Sequence, residues 1–341
     1  MRYSWAMNSP RWPDLGAALS PLVQSTPDLV VRQLAGGEVD RLIGCLHRWY
    51  PALAVAAVRS MLSPEFYRSQ VAFAGQAPTL AERPYVMVVA ERAGELESCV
   101  LLGAEEDGRV LAGTMTVVSP AAYGRGLGGI AARTLTAVAR AIGADVAYAL
   151  AELDNHASRR ALEAAGLMLC AVVPGSERKS SASGAVVWVA EAMYALSLAP
   201  ESARELPHAA TLTPSVAALV RDLWGVEPRT TGAPGHAAIG TRATGVDAGC
   251  RLVPLRDLAA QRAAEAAGLV VLGLVPGSDR HIVDGVLAFG FDALYGRPAD
   301  RTGAGGWPAQ ASLPPRLAAL VTRVRVASEP AVAHSSDIVA A

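Results

Sequence analysis

The sequence predicts a mixed α/β fold in a chain of 341 residues. Three observations carry that prediction. Short apolar runs of strand length alternate with amphipathic helical patterns, in the order β-α-α-β-β-β-α-β-α-β-β over the first half. The hydrophobic fraction of 52% is enough for substantial cores. Part of the first half also recurs in the second, so two related units are expected rather than one.

The first elements follow an N-terminal extension over residues 1–26, which has no clear periodicity. "LVVRQL" (29–34) predicts the first strand. Apolar residues at helical spacing then predict an amphipathic helix, and "SPEFYRSQVAF" predicts a second one; the apolar positions of the first are Val39, Leu42, Ile43 and Leu46.

Three strands come next, at 85–91, 98–105 and 109–118, with "EEDGR" as the turn between the last two. The loop "SPAAYGRGLGG" (119–129) leads into a helix, and "DVAYALAEL" (145–153) predicts another strand. The helix "ASRRALEAAG" ends at a glycine, and the strands "LMLCAVVPG" and "AVVWVAEAMYAL" complete the unit. Residues 27–200 are therefore predicted to form one domain.

The second half repeats the end of the first. "EAAGLMLCAVVPGSER" (163–178) recurs as "EAAGLVVLGLVPGSDR" (265–280), an offset of 102 residues, and two further matches follow at an offset of 101: "GAVVWVAEAMY" with "GVLAFGFDALY" and "LTPSVAALV" with "LPPRLAALV". We interpret this as an internal duplication that makes residues 201–327 a partial repeat half-domain beside the first, followed by a flexible tail at 328–341. The glycine loop has no counterpart there.

The glycine loop is the most informative motif in the chain. Several glycines before a helix let a ligand approach the backbone and leave the first helical N–H groups free for an anion. "GRGLGG" fits the GxGxxG dinucleotide fingerprint literally, but it follows hairpin-connected strands rather than opening a parallel βαβ unit. No Lys-Ser/Thr pair follows the glycines, which excludes a phosphate-binding Walker loop.

The strand "TMTVVSP", the loop "AAYGRGLGG" and the helix after it resemble the acyl-CoA-binding motif of the GNAT (GCN5-related) N-acetyltransferases. A second signature of that family follows in "YALAEL" and "DNHASRRALEAAGL". The resemblance covers about residues 27–200 and implies a GNAT-like fold with acetyl-CoA or another acyl-CoA as co-substrate. It implies strand backbone contacts to pantetheine, loop contacts to the pyrophosphate, and a contact from the next helix start; the residues concerned are Val117, Val118, Tyr123, Gly124, Arg125, Gly126, Leu127, Gly128, Gly129, Asn155 and Ser158.

Two positions depart from the family pattern. Tyr123 stands where the family usually has Arg or Gln, so a hydroxyl replaces a cation or an amide. Leu162 stands where many members place the tyrosine that protonates the departing thiolate, and leucine has no proton to give. Asn155 is open to two interpretations, a CoA contact or a plain helix N-cap.

Candidate catalytic residues follow from the chemistry of amine acylation, which needs proton removal from the amine and stabilisation of the leaving thiolate. Glu152, with Asp154 close by, ends the strand beside the cofactor and is the candidate base; a solvated strand-end carboxylate is the alternative. His156 is a further candidate, or simply a surface histidine. Tyr194 is the candidate substitute acid, although its repeat partner Tyr295 also suggests a shared packing role.

The sequence thus predicts an acyl-CoA-dependent N-acyltransferase that acts on the amine of a small molecule or an amino-acid-like acceptor. A non-catalytic acyl-CoA-binding or sensory protein and a scaffold that binds nothing are the alternatives. Four scattered cysteines without metal-binding spacing predict reduced thiols and no metal, and a net charge of −1 gives no reason to expect nucleic acid or membrane as a partner. No secretory signal or long apolar span is evident, so we expect a cytoplasmic monomer or homodimer.

Overall fold

The computed structural model describes residues 11–23, 26, 28–51, 62–71, 78–180, 185–225, 227–230, 242–243, 250–283, 286–297, 307 and 312–328. Its centre is one eleven-stranded sheet with the strand order β1-β2-β3-β4-β5-β7-β6-β10-β11-β9-β8. The strands are β1 Leu29–Gln33, β2 Tyr85–Arg92, β3 Glu95–Glu105, β4 Val110–Val118, β5 Val146–Glu152, β6 Met168–Ser180, β7 Val186–Ser197, β8 Arg242–Ala243, β9 Arg251–Pro254, β10 Val270–Val283 and β11 Val286–Gly296. β4 and β5 run parallel, and the other neighbouring strands pair antiparallel.

Helices cover both faces of this sheet. They are α1 Leu15–Val23, α2 Val39–Trp49, α3 Pro64–Phe66, α4 Leu127–Ile142, α5 His156–Ala164, α6 Pro214–Trp224, α7 Leu258–Ala266 and α8 Pro315–Ser328. α2 packs on one face of the first strands, where it forms a separate core with Met87, Cys99 and Val117. α1, α4 and the apolar residues of the second half share the other, larger core. The fold is therefore a mixed α/β sheet, as the sequence predicts.

The predicted order of elements between residues 29 and 197 is confirmed, with one difference. The second predicted helix begins as α3 and continues as a π-helix over Tyr67–Val71. "EEDGR" is the predicted hairpin turn between the antiparallel strands β3 and β4, and it contains a short 3₁₀ turn at Glu106–Gly108.

The N-terminal extension contains a helix that the sequence pattern did not reveal. α1 packs against β1 and α4, and Trp12, Leu15 and Leu19 are buried. Pro21 lies inside this helix, within its last turn. A nine-residue helix that carries a proline has weak intrinsic propensity, so its tertiary contacts stabilise it. Residues 1–10 lie outside the described part of the chain.

The two halves meet where β6 pairs with β10. Ala171 lies opposite Gly273, and these are equivalent positions of the repeat because they are 102 residues apart. A Cβ on Gly273 would lie 2.2 Å from both the Ala171 Cβ and the Cys170 carbonyl oxygen, so glycine is needed for this approach. Without β10, β6 would be an exposed edge strand of the first half.

In the second half, the described elements β9 to α8 follow the order β9-α7-β10-β11-α8, and the duplication itself stays a prediction from the sequence. Because the sheet runs through residue 200 without interruption, the division there stays a prediction about the sequence rather than a visible boundary. Beyond the last residue of α8, the predicted tail is outside the described residues. Within the part of the chain that is described, no helix is both long and apolar enough to cross a membrane.

Candidate active site

β4 and β5 separate at their carboxyl ends and open a cleft in the sheet. Their parallel pairing runs from Val110 with Val146 to Gly113 with Ala149 and then stops. The register of β4 against β3 shifts at the same point, between Leu101 and Leu102. An extra residue in one strand bends it away from its neighbour, so this bulge accounts for the opening. Past it, no strand among the described residues pairs with that side of β4.

The register also decides which backbone groups of β4 face the cleft. The Ser119 N–H donates to the Glu97 carbonyl oxygen at 2.7 Å, and Val117 pairs with Cys99 two positions earlier. Alternate residues of a strand point their N–H and C=O groups to the same side, so those of Val117 face β3. The backbone groups of Val118, and of Thr116, face the cleft. Of the two valines predicted to present their backbone, Val118 thus faces the cleft and Val117 faces β3.

The glycine loop carries the chain from β4 into α4. Gly124 and Gly126 have φ values of +78° and +79°, the left-handed region that glycine adopts without strain. The first hydrogen bond of the helix runs from the Ile130 N–H to the Gly126 carbonyl oxygen at 3.2 Å. The three amides before it, from Leu127 to Gly129, therefore have no acceptor within the helix and point out of its N-terminus.

Arg125, one member of the predicted pyrophosphate set, is already engaged through both its backbone N–H and its side chain. The Arg125 N–H donates to the Ala122 carbonyl oxygen at 3.3 Å, so it closes the turn instead of facing outward. The Arg125 side chain donates to Glu97 at 2.5 Å, and Glu97 also accepts from Arg92 at 3.2 Å. Glu97 belongs to β3 and is only 8% exposed, so its ion pair with Arg125 anchors the loop to β3. Half of the Arg125 side chain remains exposed beside the α4 amides.

Tyr50 is a residue of this region that sequence reasoning missed. It follows α2, and its hydroxyl hydrogen-bonds that of Tyr123, whose side chain is 56% exposed. Burial raises the pKa of Tyr50 well above its usual value, and Tyr123 and the charge of Glu152 raise it further. The phenol is therefore neutral at physiological pH and able to donate a proton. The hydrogen bond to Tyr123 and the electrostatic effect of Glu152 link Tyr50 to two distant parts of the sequence.

A second carboxylate accompanies Glu152. Glu152 of β5 lies directly opposite Glu191 of β7, and directly opposed residues share one face of the sheet. Glu191 is 9% exposed, and the apolar strand pattern around it gave no hint of a site there. The two carboxylates and Tyr50 give this face of the cleft a negative, proton-accepting and proton-donating character. Asp154 lies just past the strand and is exposed.

The start of α5 is fixed by Asn155. Its side-chain oxygen accepts from the Ser158 N–H at 3.0 Å, so the N-cap interpretation of Asn155 is confirmed. The side-chain NH₂ group of Asn155 has no role in that cap, so a ligand contact is compatible with it. His156 is exposed and its ring contacts the Arg159 guanidinium, which makes it part of the α5 surface.

Tyr194 is not brought to Glu152. Tyr194 pairs with Ala149, and a Cβ built on Gly113 would touch both Ala149 and Leu135 of α4. Strand alternation therefore places Tyr194 on the α4 face and Glu152 on the opposite face. The prediction of Tyr194 as a substitute acid that works with Glu152 as base is therefore wrong. The buried hydroxyl of Tyr194 instead donates to Glu163 of α5 at 3.2 Å.

The equivalent residue of the repeat does the same. Tyr295 donates to Glu265 at 3.2 Å, which agrees with a shared packing role. Leu162, the leucine at the family's tyrosine position, is buried in the large core. Tyr50, whose pKa the charge of Glu152 raises, is thus the hydroxyl-bearing residue that the described structure links to Glu152.

Residues 55–167 match the sequence model of the acetyltransferase (GNAT) family. This part of the chain is a GNAT domain. It contains β2 to β5, the glycine loop, α4 and α5, and so it includes the cleft, the helix-start amides and the Asn155 cap. A comparison with curated proteins gave no match.

Solved structures similar to the chain include yncA of Salmonella typhimurium, solved with acetyl-CoA, at 20% identity and a TM-score of 0.38; the match covers 52% of this chain and 97% of that one. A ribosomal-protein alanine N-acetyltransferase from Escherichia coli is 15% identical, with coverages of 51% and 97% and a TM-score of 0.38. A spermidine N-acetyltransferase chimera from Vibrio cholerae is 12% identical, with coverages of 50% and 95% and a TM-score of 0.38.

Proposed function

We propose that the chain is an acetyl-CoA-dependent N-acyltransferase whose acceptor is the amine of a small or amino-acid-like molecule. One observation carries the proposal: β4 and β5 part next to a helix N-terminus with free amides, inside a GNAT domain. An extended acyl-CoA arm needs backbone partners, and its pyrophosphate needs N–H donors. The cleft and the start of α4 supply these two needs side by side.

For the co-substrate, the helix-start amides of Leu127, Gly128 and Gly129 would hold the pyrophosphate, and Gly124 and Gly126 would let it approach the loop. The exposed half of Arg125 would add a charge-assisted contact. The backbone of Val118, together with that of Thr116, would pair with the pantetheine amides. Further contacts at the two ends of this path are proposed for Tyr123, Asn155 and Ser158.

For the chemistry, we assign the base to Glu152 and the acid to Tyr50. Glu152 takes a proton from the acceptor ammonium so that the amine can attack the thioester carbonyl carbon. A C–N bond forms and the C–S bond breaks; as Tyr50 passes its proton to the departing thiolate, the second proton lost by the nitrogen moves to the Tyr50 oxygen. The raised pKa of Tyr50 keeps the phenol protonated before and after the reaction. Glu191 opposite Glu152 adds negative charge that favours a cationic acceptor.

Co-substrate binding is tested with Gly128→Asp, read by calorimetry with acetyl-CoA, propionyl-CoA and longer acyl-CoAs. A Cβ at Gly128 has room, with Ala161 at 3.8 Å, so the variant should fold while its carboxylate repels the pyrophosphate. We expect at least a tenfold loss of affinity, about 1.4 kcal/mol. The matched control is Gly37→Asp, at an open position before α2, which should bind as the parent does. Equal affinity for both variants would contradict the cradle.

Turnover is tested as thiol release from acetyl-CoA across a panel of amines and amino acids. Tyr50→Phe should lower kcat while leaving acetyl-CoA affinity unchanged, because it removes a proton donor and not a binding group. Tyr194→Phe serves as the control and should keep kcat, since its hydroxyl lies on the other face of the sheet. The reverse pattern would return the acid role to Tyr194.

The second candidate function is acyl-CoA binding without turnover, favoured by the buried Leu162 in place of the family's tyrosine. Its signature is tight CoA binding with no thiol release from any amine in the panel. Absence of binding to every acyl-CoA would refute both candidates.

A further inference from the structure

A large apolar cavity lies on the α5 face of the sheet, where the two halves meet. Its volume is about 790 Å³, and α5, β6 and β7 of the first half line it together with α6, β10, β11 and α8. Its wall is formed mainly by apolar side chains, among them Leu167, Leu223, Trp224, Phe291 and Leu317. Pockets for small organic ligands occupy about 300–1,000 Å³ and have this predominantly apolar lining.

Two apolar side chains of the wall face solvent. Met168 is 52% exposed and Leu206 is 45% exposed, although both are large. The tilted rings of Trp224 and Phe291 pack against each other in the same wall, with ring centroids 4.6 Å apart. Exposed large apolar groups gathered around a cavity are typical of ligand sites, whereas scattered ones are ordinary surface.

One end of the cavity is polar. Glu163 and Tyr194 both line it, and the Tyr194 hydroxyl donates to the Glu163 carboxylate at 3.2 Å. Among the described residues, Tyr194 is the one side chain that donates to Glu163. A carboxylate can accept about four hydrogen bonds, so most of its capacity is left open.

The carboxylate at the equivalent position of the repeat has more hydrogen-bond donors. Glu265, the equivalent of Glu163, accepts from Tyr295 at 3.2 Å and from Thr213 at 2.7 Å, and it also accepts from the Ser215 hydroxyl. Both extra hydroxyls come from the N-terminus of α6. Next to them, the side chain of Gln261 accepts from the Thr213 N–H at 3.1 Å.

The corresponding hydroxyls are missing at the cavity. The repeat offset of 101 residues equates Thr213 with Pro314 and Ser215 with Arg316. Pro314 and Arg316 both line the cavity, and neither carries a hydroxyl. The start of α6 thus supplies two donors to Glu265, whereas the equivalent start of α8 supplies no hydroxyl to Glu163.

A second buried polar group at this end of the cavity, in Arg159, also lacks a hydrogen-bond partner. It lies one turn before Glu163 and is equivalent to Gln261 at the offset of 102 residues. Arg159 is 3% exposed, yet its Nε has no hydrogen-bond partner. Gln261, by contrast, donates to the carbonyl oxygens of Thr211 and Leu255, each at 2.9 Å.

We propose that this cavity binds a small apolar molecule that carries a hydroxyl or amine at one end. The apolar body lies against Trp224, Phe291 and Leu317, and the donor group hydrogen-bonds Glu163 in place of the hydroxyls of Thr213 and Ser215. The site is on the face of the sheet opposite Glu152, so it is separate from the acyl-transfer cleft. It makes the second half a ligand-binding unit attached to the GNAT domain.

The experiment uses the full chain and N-phenyl-1-naphthylamine, an apolar fluorescent probe with a single N–H donor. We expect saturable binding with one site per chain. Leu206→Trp fills the cavity from an exposed position, so it should fold and should abolish binding. Val326→Trp is the matched control at an exposed α8 position outside the lining, and it should bind as the parent does. Absence of saturable binding, or binding that Leu206→Trp leaves unchanged, overturns the proposal.

The polar end is tested by pairing variants with a methylated probe that lacks the N–H. Glu163→Ala should weaken binding of the parent probe about tenfold and leave the methylated probe unaffected. Glu265→Ala, at the equivalent position, should leave both probes unaffected. An equal response of the two probes to Glu163→Ala overturns the assignment of the donor group. Acetyl-CoA affinity is measured in parallel, so failure here is distinguishable from failure of the proposed acyltransferase function.

Discussion

Replacing Gly273 with alanine is the most direct test of how the halves are joined. The new Cβ would lie 2.2 Å from the Ala171 Cβ, 2.2 Å from the Cys170 carbonyl oxygen and 2.3 Å from the Ala171 Cα. Contacts under 3.0 Å essentially never occur for a Cβ, so β6 and β10 must separate by about 0.8 Å or more. Two of the three atoms are backbone, which no side-chain rotation can move. We expect a loss of about 1–3 kcal/mol in the free energy of unfolding, the usual cost of overpacking a close-packed interior.

The assay is urea unfolding of the full chain, followed by both tryptophan fluorescence and circular dichroism to confirm a single transition. The matched control is Gly44→Ala within α2, where the nearest atom to the new Cβ is the tip of Arg48 at 3.6 Å. That change should stabilise the protein by about 0.5–1 kcal/mol, because alanine is the better helix former. If Gly273→Ala is as stable as the parent, the close approach of β6 and β10 is refuted.

Three further outcomes are expected. Asn155→Ala should lower the free energy of unfolding by about 1 kcal/mol, whereas Asn155→Asp keeps the cap oxygen and should lower only acetyl-CoA affinity; unchanged acetyl-CoA affinity in Asn155→Asp would leave the cap as the whole role of Asn155. Glu97→Gln, which breaks the ion pairs to Arg92 and Arg125, should cost about 1–2 kcal/mol in urea unfolding and weaken acetyl-CoA binding, and an unchanged midpoint would contradict the anchoring of the loop. Burial raises the pKa of Tyr194 to about 12, so its contribution is complete below pH 10 and declines by about 1.4 kcal/mol per pH unit up to about pH 12; unfolding between pH 9 and 12 should show a shallower decline for Tyr194→Phe.

The glycine loop could be predicted from the sequence because its signal is local. Glycines that must adopt positive φ, such as Gly124 and Gly126, stand directly before a helical pattern, and the free amides of α4 follow from helix geometry alone. The strand order around the loop was predictable for the same reason. The bulge that opens β4 from β5 was not, since it depends on the register of two strands against a third.

The composition of the cleft was harder to predict. Tyr50 reaches Tyr123 and Glu152 across 73 and 102 positions of sequence, and nothing near Tyr50 marks it as part of a site. Tyr194 was misplaced for a related reason. A strand pattern shows which residues share a face of that strand, but it does not show how that face aligns with the next strand. The pairing of Tyr194 with Ala149, not its sequence, put it on the α4 side.

The helices that follow the two repeats pack in a way that links the order of synthesis to the order of folding. α6 follows the first copy yet contacts β10 of the second, while α8 follows the second copy and contacts β6 of the first. The β6 surface of the GNAT-containing half is therefore covered only after α8, the last described helix, has been synthesised. A nascent chain that has released only that half would expose an unpaired β6 edge and an apolar face, a state prone to misassociation. We expect slow translation beyond β7 to favour aggregation. We also expect that a first half truncated after β7 aggregates less when the second half is coexpressed as a separate chain.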